Sequence, residues 1–186
     1  MLLLIYILKG ATKIKWKNLW FILISSLPLF FWLGGEKMKK VIDGIYNKLL
    51  NDIKNEIAPK IAEEMKNIEQ EVIEEVVYNA YTPIYYQRRT SGGLGDKENM
   101  EETIVSKENN IEIKVKNVTK GNSEYSDAEG YTDGYIDEII ETGQGYGYDL
   151  DDYIGARPFT EISQNVIDYT DKIVKLFEEE LRKKGW

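Results

Sequence analysis

The chain has 186 residues, of which 42% are hydrophobic, 30% charged and 12% aromatic, a globular composition with room for one ordinary domain. It contains neither cysteine nor histidine, which excludes disulfide frameworks, thiolate nucleophiles, imidazole–metal sites and Ser-His-Asp or Cys-His catalysis. The formal net charge of −8 is unevenly divided: residues 1–37 carry net +4 and the remainder net −12, an acidic surface ill suited to tight binding of phosphate.

Met1–Leu8 and Leu19–Leu33 are apolar, with Lys13, Lys15 and Lys17 between them. Two expectations compete for residues 1–37. As a membrane anchor, the second run is short at 15 residues, since a span needs roughly 20. As a mis-assigned start, the codons of Gly34-Gly35-Glu36 can carry a purine-rich ribosome-binding run, Met38 is the initiator, and Lys39-Lys40-Val41-Ile42 reads as an ordinary beginning.

Residues 38–186 read as a single α+β domain. From 42 to 80 the apolar positions recur every three or four residues: Ile42, Ile45, Tyr46, Leu49, Ile53, Ile57, Ile61, Met65, Ile68, Val72, Val76 and Ala80. That stripe predicts one long kinked helix or two nearly collinear ones, with Glu63, Glu64, Lys66, Glu69, Glu71, Glu74 and Glu75 on a solvated face. Pro59 predicts a kink or break near 55–59, and Pro83 a stop. Thr103–Ser106 and Ile111–Val118 read as antiparallel strands joined by a Glu108-Asn109-Asn110 turn. Ile111, Ile113 and Val115 share one face of the second strand. Residues 120–134 and 142–155 are polar, Gly-rich loops flanking the short Tyr135–Glu141 segment. A last helix starts near Pro158 and carries the stripe Ile162, Val166, Tyr169, Ile173, Phe177 and Leu181. Arg182, Lys183 and Lys184 then suit its C-terminal dipole. The expected architecture is a long kinked N-terminal helix and a C-terminal helix packed on a small antiparallel sheet.

The motifs carry little chemistry. Gly143-Gln144-Gly145-Tyr146-Gly147 lacks the lysine and the strand–helix context of a phosphate loop. Asp149, Asp151 and Asp152 do not follow the calcium-loop spacing. Arg88-Arg89 beside Tyr85-Tyr86 could stack on nucleic acid, but in a domain of net −12 a subunit contact or salt bridge is the better reading. Asn117-Val118-Thr119 matches the short glycosylation triplet, which recurs by chance. No catalytic residue, cofactor or metal ligand is expected, and the chain reads as a non-enzyme. What stands out is the 13 tyrosines, many in loops, because tyrosine offers contact area with a polar tip. The candidate subunit contacts are therefore Tyr85, Tyr86, Arg88, Arg89, Tyr146, Tyr148 and Tyr153.

The order of segments resembles the tail-completion, or head–tail joining, proteins of long-tailed bacteriophages and prophages. An amphipathic helix leads into Tyr81-Thr82-Pro83-Ile84-Tyr85-Tyr86-Gln87-Arg88-Arg89 and then Gly92-Gly93-Leu94, followed by a strand pair. Tyr135-Ile136-Asp137-Glu138-Ile139-Ile140-Glu141-Thr142-Gly143 is similar to the family's Tyr…Glu-x-Gly element, and Ala156-Arg157-Pro158-Phe159 to its Arg-Pro-Phe lead into the last helix. On this resemblance Pro83, Gly143, Arg157, Pro158 and Phe159 are structural. It implies a virion component of the neck that forms or joins a ring, assumed hexameric, with other phage neck and tail proteins as partners. DNA would pass through without sequence-specific binding, repelled by the acids if they line the lumen. The protein would be found in the virion, or in the host cytoplasm during assembly. The rival expectation is a small membrane-anchored binding module that uses the Tyr-rich loops, with membrane contact only if residues 1–37 are genuine.

Overall fold

The computed structural model describes residues 35–80, 82, 91–107, 110–121, 136–143 and 155–186. A helical path runs from Gly35 to Tyr78: α1 (Gly35–Asp52), a π-turn (Ile53–Ile57), α2 (Ala58–Ile73) and a second π-turn (Glu74–Tyr78). Pro59 explains the first π-turn. In α geometry its ring would press on the preceding turn and its missing N–H would leave the Asn55 carbonyl unpaired. Instead the chain widens just before it, and the Ala58 N–H reaches back five residues to the Ile53 carbonyl. The helix therefore continues through the proline, as the unbroken phase of the stripe implies.

Two expectations about this helix are corrected. Its core stripe begins later than Ile42: Val41, Ile42, Ile45 and Tyr46 are exposed, and the core takes over from Leu50 and Ile53. Glu69 is not on the solvated face; it is sealed in the interior with 2% of its surface exposed. The physical reason is that α2 is covered from two sides. Its buried positions come in neighbouring pairs, Ile57-Ala58, Ile61-Ala62, Ile68-Glu69 and Val72-Ile73, which makes the buried arc wider than a single stripe. The helix ends at Tyr78, followed by a turn at Asn79-Ala80, while Pro83 lies outside the described residues.

One cover is the hairpin β1 (Met100–Lys107) and β2 (Asn110–Asn117), antiparallel with Met100 opposite Asn117 and Lys107 opposite Asn110. Ile111, Ile113 and Val115 alternate into the core, joined on the same face by Asn117. Both strands pack on α2. Asn110 is a strand residue paired with Lys107, so the connection is shorter than the three-residue turn expected. The first strand also starts three residues earlier, at Met100.

The other cover is C-terminal. A short helix, α3 (Asp137–Thr142), precedes α4 (Phe159–Tyr169) and α5 (Lys172–Lys183), both of which pack on α2. The single last helix expected from the sequence is thus two helices. Thr170 leaves the helical region (φ −106°, ψ 149°) and Asp171 starts the next helix, a place where β-branched and short polar residues compete well against helix continuation. The break turns Tyr169 outward, to 87% exposure, so it is not a core residue of the stripe. Beyond the break α5 runs back along the long helix: Lys172 pairs with Glu64 and Glu71, Lys184 pairs with Glu56, and the Trp186 indole donates to Asp52 at 2.9 Å. Buried Glu180 is held ionised by Lys183 and Lys60, which pull its carboxyl below the usual range. The whole is α+β, with long N-terminal helix, C-terminal helices and a two-stranded antiparallel sheet.

Candidate functional site

The candidate contact residues Tyr85, Tyr86, Arg88, Arg89, Tyr146, Tyr148 and Tyr153 lie outside the described residues, as does Pro83. The backbone on either side of each segment is described, and it is built with unusual care at one place: the C-terminal end of the long helix.

The segment between Thr82 and Ser91 leaves just after Tyr78 and returns to it. The Gly95 N–H donates to the Tyr78 hydroxyl at 3.0 Å, and a Cβ on Gly93 would sit 3.2 Å from that oxygen. Gln70 donates to the Gly95 carbonyl at 2.7 Å, and Asn99 to the Gly93 carbonyl at 2.9 Å. The segment between Gly121 and Ile136 closes in the same way, the Ile136 N–H donating to the Thr119 carbonyl at 3.0 Å. Gly143 and Gly155 close the third. Gly143 has φ +70° and its N–H caps the Ile139 carbonyl, ending α3 in the left-handed conformation glycine allows. A Cβ there would lie 2.4 Å from the Ala156 nitrogen and 2.5 Å from the Gly155 carbonyl carbon, so the position excludes any side chain.

These three closures are joined to one another. Asn117 donates to the Leu94 carbonyl at 2.8 Å, tying the second to the first, while its carbonyl oxygen accepts from the Thr119 N–H (3.1 Å) and hydroxyl (2.6 Å). Arg157 ties the third to the helix, its N–H reaching the Ile140 carbonyl and its guanidinium the Val77 carbonyl at 3.4 Å. Pro158 follows at the N-cap of α4, and Phe159 is fully buried in the core. Glu141 faces the start of α4, where both carboxylate oxygens accept from the Thr160 N–H at 3.2 Å.

Glu69 lies beneath this junction. Asn117 gives its carboxylate one long hydrogen bond, 3.3 Å, against nearly complete loss of water. Burial therefore dominates and raises its pKa to about 7, with Glu141 and Asp137 adding repulsion. Burial likewise raises Asp137 and Glu141. A single polar helix face, the pattern into which the acids of this helix fall, conceals this residue. The signal that could have found it is its spacing of four from both Met65 and Ile73.

Among the described residues no group of acids is arranged to hold a metal ion. Nor is any helix among them long and apolar enough to cross a membrane, and residues 1–34 lie outside that description. Among the described residues the arrangement is a platform: the residues that flank three segments of the chain are tied to one another at the C-terminal end of the long helix.

Comparison with curated proteins and with solved structures finds no match. The YomN family, whose name is phage-derived and suggests a phage origin, matches residues 37–183, about four-fifths of the chain. The match runs from the first turn of α1 to the end of α5, and on that extent the chain belongs to the YomN family.

Proposed function

We propose that this chain is a non-catalytic structural component of a phage head–tail connector, acting in tail completion or head closure, and that it forms or joins a ring through which DNA passes. The observation that carries the reading is the platform. The described residues flanking the segments that hold Tyr85, Tyr86, Arg88 and Arg89, and Tyr146, Tyr148 and Tyr153, are tied to the C-terminal end of the long helix, which supports reading those segments as one contact surface. Tyrosine and arginine are the residue types that supply energy in such contacts. The phage-derived family name supports the setting. The acidic body suits a lumen that DNA must traverse without sticking.

A net charge of −8 opposes self-association until it is screened or a partner supplies the opposite charge. The test is sedimentation of the full chain at low and high salt, alone and with assembled tail tubes or head connectors. Association is expected with salt or template, and it should be lost in Arg88→Glu and Tyr148→Ala. A chain that stays monomeric in every condition, with virion assembly intact in both variants, would overturn the reading.

A further inference from the structure

The hydrogen bonds around Glu69 leave its carboxyl nothing in reserve. Asn117 of β2 spends its amide hydrogens on the Leu94 carbonyl at 2.8 Å and on Glu69 at 3.3 Å, and its own oxygen is taken up by Thr119. The cations of the surrounding elements are committed elsewhere: Lys66 of α2 to Glu102 of β1 at 2.8 Å, Lys172 of α5 to Glu64 and Glu71, and Arg157, ahead of α4, to the Val77 carbonyl. Asp96, ahead of β1, accepts from the Gly93 N–H, the Tyr78 hydroxyl accepts from Gly95, and the Glu161 N–H of α4 donates to Glu141. What acts on Glu69 from across the junction is negative. Asp137 and Glu141 lie one turn apart on α3, with Glu138 beside Asp137 and Lys116 of β2 opposing it. A carboxylate formed here is short of donors and repelled by two acids, and it gains water only if a neighbouring element moves.

We propose that α3 is that element: a proton-operated cover, seated while the Glu69 carboxyl is neutral and lifted when it ionises. The other neighbours are fixed by buried apolar side chains, β2 by Ile111, Ile113 and Val115 and α4 by Phe159 and Ile167. No residue of α3 is fully buried, and Ile140 packs on the core only in part. Its ends are held by single backbone hydrogen bonds, the Ile136 N–H to the Thr119 carbonyl and the Arg157 N–H to the Ile140 carbonyl, together with Glu141 at the start of α4. Elements held this lightly open before the core does. The same bonds tie the flanks of two segments of the platform, so lifting α3 loosens both flanks in one step. The cover does not depend on the connector reading.

Hydrogen exchange of the full chain, followed by mass spectrometry and corrected for the intrinsic rate at each pH, reads α3 directly. Opening returns the carboxyl from about 7 toward 4.5, so the seated state binds the proton more tightly and opening gains as pH rises. Between pH 6 and pH 8 the peptide covering 136–143 should lose about tenfold in protection. Its exchange should not respond to low urea, because little surface is exposed, whereas exchange of α2 should. Glu69→Gln should remove most of the pH response and leave a remainder belonging to Asp137 and Glu141. Should that variant fail to fold, Asp137→Asn carries the test, and α3 should be better protected at pH 8 than in the parent chain. A tenfold response that persists in Glu69→Gln, exchange of α3 that follows α2 in urea, or no gain in Asp137→Asn would each overturn the proposal.

Discussion

With Glu69 sealed beneath the loop bases, folding has to keep its carboxyl protonated or leave a charge nearly dry. Its pKa rises from the ordinary 4.5 to about 7 on folding, so the folded state binds the proton more tightly than the unfolded chain does. Its contribution to stability is complete below about pH 4.5 and is lost as pH rises through 7. Glu69→Gln keeps the acceptor for Asn117 and removes the ionisation. It should raise stability at pH 8 by about 2–3 kcal/mol and flatten the fall between pH 5 and 8. Asp137 and Glu141, shifted the same way, will leave a residual slope. Urea melts at several pH values check both parts, and an unchanged profile would show that Glu69 is not buried in solution. Phe159 gives the second residue-scale prediction. Its ring is fully buried, so Phe159→Ala should cost about 3–5 kcal/mol, read as a lowered thermal midpoint. Arg-Pro-Phe was legible in the sequence as a lead into a helix; Glu69 was not, because a wheel drawn for one covering layer assigns its position to solvent.

At the scale of elements, the hairpin depends on α2. A two-stranded sheet alone is marginal in water, and here its apolar face, Ile111, Ile113 and Val115, is covered by the helix. A peptide of residues 100–117 should therefore show a coil spectrum by circular dichroism, and Ile113→Ala in the full chain should cost about 2–4 kcal/mol. A folded isolated hairpin would contradict the dependence. Most elements were legible from periodicity, because long stripes and strict alternation average over local exceptions. Period three-to-four located the long helix and period two located β2. The break at Thr170-Asp171 escaped because the apolar spacing from Val166 through Tyr169 to Ile173 continues across it. Only the backbone shows that Tyr169 points to water. The doublets Ile57-Ala58 and Val72-Ile73 held the news that α2 is covered on two sides, and a single-stripe reading passed over it.

Taken whole, the molecule separates its tasks along one axis. Core and covers occupy the middle, α1 with its exposed Val41, Ile42, Ile45 and Tyr46 forms one end, and the flanking residues of three segments are tied together at the other. Replacing residues 144–154 by two glycines should leave the thermal midpoint within a few degrees, since Gly143 and Gly155 already touch, while abolishing association with connector or tail tube. A large loss of stability would show that the segment is part of the core. Composition marks these segments as candidate contact loops, but the joining of their flanking residues depends on hydrogen bonds between residues far apart in the chain, such as Asn117 with Leu94 and Arg157 with Val77, which no local pattern encodes.

The closure at Gly143 and Gly155 has a consequence for how such a chain can change over generations. Once the two ends of a segment are fixed side by side, the entropy of tying it down grows only with the logarithm of its length. Doubling the 144–154 segment would cost about 0.6 kcal/mol, less than a single poor core substitution. Insertions, deletions and new sequences at that place are therefore almost free, whereas a side chain at Gly143 is forbidden. Descendants of this protein can vary that segment rapidly while the scaffold that holds its two ends stays the same.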